Sequence, residues 1–238
     1  MKKLLALISI LACFAQPSLA AKNITTLGIL NQSEFRIFSE DMGSALGYKA
    51  LAPAEPLGIS GFDIGVVVSS TDVSRSSQQW FKASGDSVNT LVIPKLHISK
   101  GLPYNVDVAV FYSSVPSTNI KLYGGELRYA IIEGGISLPA VAIRGTMTKL
   151  SGVPQLSMDT ASLDVSISKG FAFFTPYAGI GQAWVKSTPN TGTLSAEKFS
   201  QGKVFTGFNM NFGFTNFALE ADKTGSATSY GAKLGFRF

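Results

Sequence analysis

The sequence predicts an all-β chain: a closed antiparallel transmembrane β-barrel of about ten strands, with a short amphipathic helix near its N-terminus. Three observations carry this. From Ile59 onward, apolar residues alternate with polar or small ones in segment after segment, which is the period of a strand. After the first twenty residues no apolar run approaches the roughly 20 residues a membrane helix needs, although the chain holds 17 Phe and 24 Gly and has a mean hydropathy of +0.24. Carboxylates and arginines face away from the apolar side, and the connections alternate between short and longer. A soluble β-sandwich would also alternate, but it does not predict that rhythm.

Residues 1–20 read as a signal peptide. Lys2 and Lys3 start it, Leu4 to Phe14 is apolar, and Ser18-Leu19-Ala20 fits a cleavage site, so the mature chain begins near Ala21. Cys13 is the only cysteine and leaves with this segment, which removes disulfides and thiol catalysis. A lipobox, Ile10-Leu11-Ala12-Cys13, sits too close to Lys3 to fit well. Without Lys2 and Lys3 the chain keeps 18 basic and 15 acidic residues, a net +3. That is too mild for a nucleic-acid partner.

Residues 21–57 form an N-terminal segment of different character. Phe35, Phe38, Met42 and Leu46 recur at helical spacing behind Ser33 as N-cap, so a helix is expected over Glu34 to Tyr48, weakened by Gly43 and Gly47. Pro53 and Pro56 then enforce an extended linker. Three readings stand open: the helix lies against the short-turn end of the barrel, it plugs or gates the barrel mouth, or the segment is extended without a helix.

Residues 58–238 are the barrel. The expected strands are Ile59 to Val68, Asn89 to Ser99, Tyr104 to Tyr112, Ile120 to Ile132, Ser137 to Lys149, Thr160 to Ser168, Ala172 to Lys186, Gly202 to Phe212, Asn216 to Lys223 and Ser229 to Phe238. The seventh is too rich in glycine for its faces to be assigned. Tight connections fall at Lys100 to Pro103, Glu133 to Gly135, Lys169 to Phe171 and Gly213 to Thr215. Longer ones are Ser69 to Val88, Ser113 to Asn119, Leu150 to Asp159, Ser187 to Gln201 and Thr224 to Thr228.

In the last strand Tyr230, Leu234, Phe236 and Phe238 share one face, and Lys233 and Arg237 the other. An exposed terminal Phe-x-Phe would be a hazard on a soluble edge strand; in lipid it meets hydrocarbon. The pattern resembles the C-terminal insertion signal of bacterial outer-membrane β-barrels. That resemblance implies an outer-membrane location, recognition by the barrel-assembly machinery, contact with outer-membrane lipid and lipopolysaccharide, and short turns on the periplasmic side. Phe38 to Asp41, Ala45, Pro53, Pro56-Leu57-Gly58 and Gly61-Phe62 are similar to the start of transport barrels for hydrophobic compounds, of the long-chain fatty-acid type. Those fold an N-terminal segment into the lumen.

The inward set is the informative one for function. Asp63, Asp107, Glu126, Asp164, Glu220 and Asp222 are its acids; Lys95, Arg128, Arg144, Lys233 and Arg237 are its bases, with His97 beside them. Near-balance predicts internal pairing rather than an ion filter of one sign. The alternative is a narrow polar conduit. Barrel proteases and lipid A-modifying barrels need a histidine at the outer rim, and the single histidine, His97, lies next to the short turn at Lys100. Glu220 and Asp222, two residues apart, could form a glycosidase-like dyad, but lumens commonly pair such carboxylates with Lys or Arg. No P-loop, His-Glu-x-x-His or EF-hand pattern is present, so neither a metal nor a cofactor is expected. The reading is a non-enzymatic barrel, structural or partner-binding, with a channel or transporter as the alternative.

Overall fold

The computed structural model describes residues 22–238; the expected signal peptide, residues 1–20, lies outside them. Ten antiparallel strands close into a barrel: β1 (Phe62–Asp72), β2 (Thr90–Leu102), β3 (Val106–Ser114), β4 (Lys121–Ile132), β5 (Ala140–Ser151), β6 (Leu156–Ser168), β7 (Phe174–Pro189), β8 (Glu197–Phe212), β9 (Thr215–Thr224) and β10 (Ala227–Arg237). Each strand pairs with its sequence neighbour, and β10 returns to pair with β1 from Asp63↔Arg237 to Thr71↔Ser229. Closure leaves no free edge. The seam is finished by the last residue. Phe62 N–H donates to the Phe238 carbonyl at 2.7 Å, Phe238 N–H to the Phe62 carbonyl at 3.0 Å, and the two rings stack.

The period of two settles what each face meets. Val66, Leu96, Val110, Leu127, Leu163 and Val204 point outward and are exposed, whereas the charged residues of opposite parity are buried. An apolar exterior around a polar interior is the inverse of a soluble barrel and matches a hydrocarbon surround. On β7 the parity left open by the sequence resolves: Tyr177, Ala183 and Val185 turn inward, Ile180 and Trp184 outward.

Several strands outrun their expected ends, so the short/long rhythm is softer than expected. β1 continues to Asp72, β8 starts at Glu197, and the connections 152–155 and 225–226 are tight. Polar strand ends keep pairing beyond the apolar belt because their backbone groups need partners there too. The connection from β1 to β2 also holds an unexpected helix, α2 (Ser77–Ser84), closed by Gly85 at φ +80°. That helix packs Trp80 and Ala83 into the mouth.

Helix α1 (Gln32–Leu46) precedes the barrel. It starts two residues earlier than expected, and its N-cap is Asn31 rather than Ser33. The reason is a capping box: Asn31 Oδ1 accepts from Glu34 N–H at 2.9 Å, and the Glu34 carboxylate accepts from Asn31 N–H at 3.0 Å. Its end moves from Tyr48 to Leu46, with Gly47 as C-cap. The main apolar core sits between α1, α2 and the inward residues at the long-connection end, with Phe35, Phe38, Met42, Trp80, Ile93 and Leu122 at its centre.

Candidate functional site

The site worth building is the lumen together with the segment that fills it. Helix α1 does not lie against the short-turn end; it sits in the mouth at the opposite end. Its periodic face buries Phe35, Phe38, Met42 and Leu46 completely or nearly so, and Phe38 meets Trp80 at 4.9 Å between ring centroids. Gly43, a poor helix former, has a packing reason: a Cβ there would stand 2.8 Å and 3.0 Å from the Val185 methyl groups, so only glycine lets the helix lie this close to β7. Inside the mouth Ser39 and Ser187 hydroxyls meet at 2.8 Å.

Ion pairs fasten the outer side of this cap. Arg75, from the β1–β2 connection, reaches Asp41 at 2.7 Å and Glu40 at 2.9 Å. Arg36 bridges Glu40 at 2.7 Å and Glu197 at 3.0 Å, and Lys82 holds Glu34 at 2.5 Å. The Lys82 hydrogen bond, helped by the capping N–H, holds the Glu34 carboxyl below its ordinary value. Burial pushes Glu40 up, but the hydrogen bonds from Arg36 and Arg75 outweigh it and the group ends lowered. Upstream of the helix, Ile24 N–H donates to Asn119 Oδ1 at 3.1 Å and Leu27 N–H to Gln155 Oε1 at 2.7 Å, tying the first described residues to the β3–β4 and β5–β6 connections.

After Gly47 the chain runs down the whole lumen to reach β1 at the short-turn end. Its contacts touch strands on several sides of the lumen. Tyr48 Oη lies 2.6 Å from His97 Nε2, and Lys49 pairs with Asp222. Leu51, at φ +47°, is fully buried, with its side chain where a Cβ on Gly231 would be 3.1 Å away. Arg144 donates to the Ala52 carbonyl at 3.1 Å and Arg128 to the Pro53 carbonyl at 2.5 Å. Ala54 N–H donates to Ser168 Oγ at 3.1 Å, and Leu57 N–H to Asp107 Oδ1 at 3.0 Å. Pro53 and Pro56 suit this path because they hold the backbone extended. The lumen thus gives an extended strand with no sheet partner the side-chain hydrogen bonds its backbone needs.

The expected inward residues all line this space, mostly in pairs. Asp63 binds Lys233 at 2.7 Å, Asp107 binds Arg128 at 2.6 Å, and Glu126 faces Arg144 at 3.3 Å. Asp164 is held by Lys203 at 2.9 Å, Asp222 by Lys49, and Glu220 accepts from Tyr177 Oη at 3.0 Å. Glu220 and Asp222 are therefore each taken up by a different partner, which is not the geometry of a carboxylate dyad awaiting substrate. Lys95 Nζ is buried without a hydrogen-bond partner and stands 5.2 Å from the centre of the Phe111 ring. Arg237 is partly buried, and its Nη1 has no partner. On the last strand Tyr230, Phe236 and Phe238 are exposed on the outer face, and Leu234 is partly so.

Sequence reasoning missed four participants. Lys203 shares parity with Asn209 on β8 and was legible from alternation alone. Tyr177 was hidden by the glycines of β7. Tyr48 and Lys49 sit outside any strand, and nothing in their spacing marks them as lumen residues.

Among solved structures the chain is similar to outer-membrane β-barrels. Ail, the attachment invasion locus protein of Yersinia pestis, aligns at 11% identity over 75% of this chain and 99% of its own, with a TM-score of 0.33. Neisserial surface protein A aligns at 13% over 75% and 96%, with a TM-score of 0.34. OmpT of Vibrio cholerae, an outer membrane protein crystallised as a loop-deletion mutant, aligns at 14% over 62% of this chain and 54% of its own, with a TM-score of 0.32; this chain spans about half of its length. No protein-family model matches the chain, and none of the curated proteins does.

Proposed function

We propose that the protein is an integral barrel of the bacterial outer membrane whose lumen is closed by its own N-terminal segment. It neither conducts nor catalyses; it works through the face it presents at the long-connection end, as a structural or partner-binding element. The carrying observation is the run of residues from Tyr48 to Leu57, bonded to the inward wall at six of its residues. A conduit would leave those inward groups to water. Here they are satisfied by backbone and side chains of the threaded segment, and α1 seals the mouth above them. Long connections facing outward follow the pattern of such barrels, so the cap formed by α1 and α2 would stand at the cell surface.

A second reading keeps the same architecture but lets the segment move. The observation favouring it is that the cations fastening the rim of α1, Arg36, Arg75 and Lys82, are solvent-exposed, which weakens such pairs, and that α1 joins the barrel covalently only through β1. A displaced plug would leave a narrow polar lumen, as in the transport barrels whose N-terminal portion the sequence resembles. Planar-bilayer recording separates the two. The protein reconstituted with residues 22–238 should stay silent, and a variant lacking residues 22–57 should give steady openings. Frequent spontaneous openings of the undeleted chain would favour transport and overturn the closed reading.

A further inference from the structure

A polar recess lies on the outer face of the long-connection rim, where β2, β1 and β10 run side by side. It holds about 450 Å³, a volume within the range of small-ligand sites. Its lining includes Ser70, Asp72, Asn89, Thr90, Thr228 and Tyr230. Register brings these residues together. Asp72 pairs with Thr90 and Ser70 with Tyr230, while Asp72 and Thr228 each follow the last β1–β10 pair, Thr71↔Ser229. The strand positions share the parity of the exposed Val66, Leu96 and Phe236, so they face outward. Past the pair Val68↔Ala232, β1 and β10 change together from apolar to hydroxyl-bearing residues.

Elsewhere at this rim polar side chains are taken up: Arg75 by Asp41, Lys82 by Glu34, and the Thr26 hydroxyl by the Lys82 carbonyl. In the recess the side chains of Ser70, Asn89, Thr90, Thr228 and Tyr230 form no hydrogen bond among the described residues. Asp72 Oδ1 accepts from the Ser74 N–H at 2.9 Å; Oδ2 accepts from none of the described residues. Hydroxyls and an amide both give and accept. With one carboxylate, no lining cation and the exposed Tyr230 ring at the edge, they match a sugar. Adjacent sugar hydroxyls donate to a carboxylate in charge-assisted hydrogen bonds, and the C–H face of a sugar lies on an aromatic ring whose hydroxyl stays wet. A lining without cations disfavours phosphate, sulfate or carboxylate groups. Lys223, across the sheet from Thr228, lines the apolar groove on the other side instead. One carboxylate is also too few for a divalent cation, which gathers several oxygen ligands.

We propose that this recess is a binding site for a neutral saccharide, with Asp72 on two adjacent sugar hydroxyls, Asn89 and Thr90 on a neighbouring one, and the sugar ring against Tyr230. The site deepens the partner-binding reading given above, on which its exposure outside the cell rests. It gives the partner a chemistry: a neutral glycan distinct from the cell's own anionic lipid, whose phosphates Asp72 would repel.

The test uses the folded protein in a detergent without a sugar head, titrated with methyl galactoside, methyl glucoside, methyl mannoside and N-acetylglucosamine. N-acetylneuraminic acid and galactose sulfate serve as anionic controls. A neutral sugar should bind with a Kd in the millimolar range, and the anionic ones about tenfold more weakly. D72N keeps an oxygen for the Ser74 N–H but removes the charge. It should weaken binding about tenfold, the loss expected for a charged hydrogen bond. T90V keeps the side-chain shape and should weaken it severalfold. Both variants should retain the heat-modifiable gel mobility of a folded barrel. No binding of any of the neutral sugars, tighter binding of an anionic one, or wild-type affinity in both variants would overturn the proposal. Cells carrying the protein are then passed over beads bearing the sugar that binds, and retention should be lost with D72N. Binding by the purified protein without retention of the cells would leave the site standing and overturn the outward orientation of the long connections.

Discussion

Arg144 shows how a single side chain joins plug and wall. It faces Glu126 at 3.3 Å and donates to the Ala52 carbonyl, and it is almost fully buried. Replacing it with alanine strands Glu126 in a confined space and frees Ala52. Loss of one partner of a buried pair costs about 3–5 kcal/mol, so R144A should unfold at clearly lower denaturant while remaining non-conducting. A loss near 0–1 kcal/mol, as for water-screened pairs, would mean the lumen is hydrated. Phe38 makes the matching test in the cap. It is fully buried against Trp80, and Phe38→Ala should cost about 3–5 kcal/mol in a chemical-denaturation curve. The inward acids and bases were legible in the sequence because each sits on a strand with an apolar opposite face. Their partners were legible only where both lay on strands. Lys49 was not, because a lysine in a Pro-flanked linker carries no periodicity, and only the path of the chain brings it to Asp222.

At the scale of elements, α1 was foreseeable as a helix from Phe35, Phe38 and Met42, but its seat was not. Amphipathicity says that a face is buried, not against what. The information lay in features with no period: Gly43 opposite Val185, and Ser39 opposite Ser187. The fastening of this helix should depend on pH. Glu34 and Glu40 have folded-state pKa values below the ordinary 4.5. Their contribution is therefore present above that value and is lost as pH falls through the lowered folded values. Arg75, raised by Asp41 and Glu40 against the opposing effect of burial, stays charged throughout. Acrylamide quenching of Trp80 in a Trp184→Phe background should stay low at neutral pH and rise only as the pH falls below the ordinary glutamate value, before the strands unfold. Quenching that is flat down to global unfolding would show that apolar packing alone holds the cap. The last strand offers a second element-scale test. Deleting Phe238 removes two seam hydrogen bonds and the stacked pair with Phe62, and in the outer-membrane reading it also removes the terminal residue that resembles an insertion signal. Assembled protein in the outer membrane should fall sharply, and normal levels would count against that resemblance.

For the whole molecule, the barrel class and strand number followed from alternation, because a period of two repeated ten times leaves few ways to bury one face. The filled lumen did not follow, since the sequence allowed a paired core without any threaded chain. In the folded barrel α1 rests inside the long-connection mouth. The most direct measurement pairs Ser39→Cys with Ser187→Cys, whose wild-type hydroxyls are 2.8 Å apart, and follows disulfide formation in membranes holding the assembled protein. Rapid, near-complete cross-linking of heat-modifiable barrel is predicted. Barrel that assembles normally yet leaves both thiols free to alkylating reagent would contradict the plugged structure.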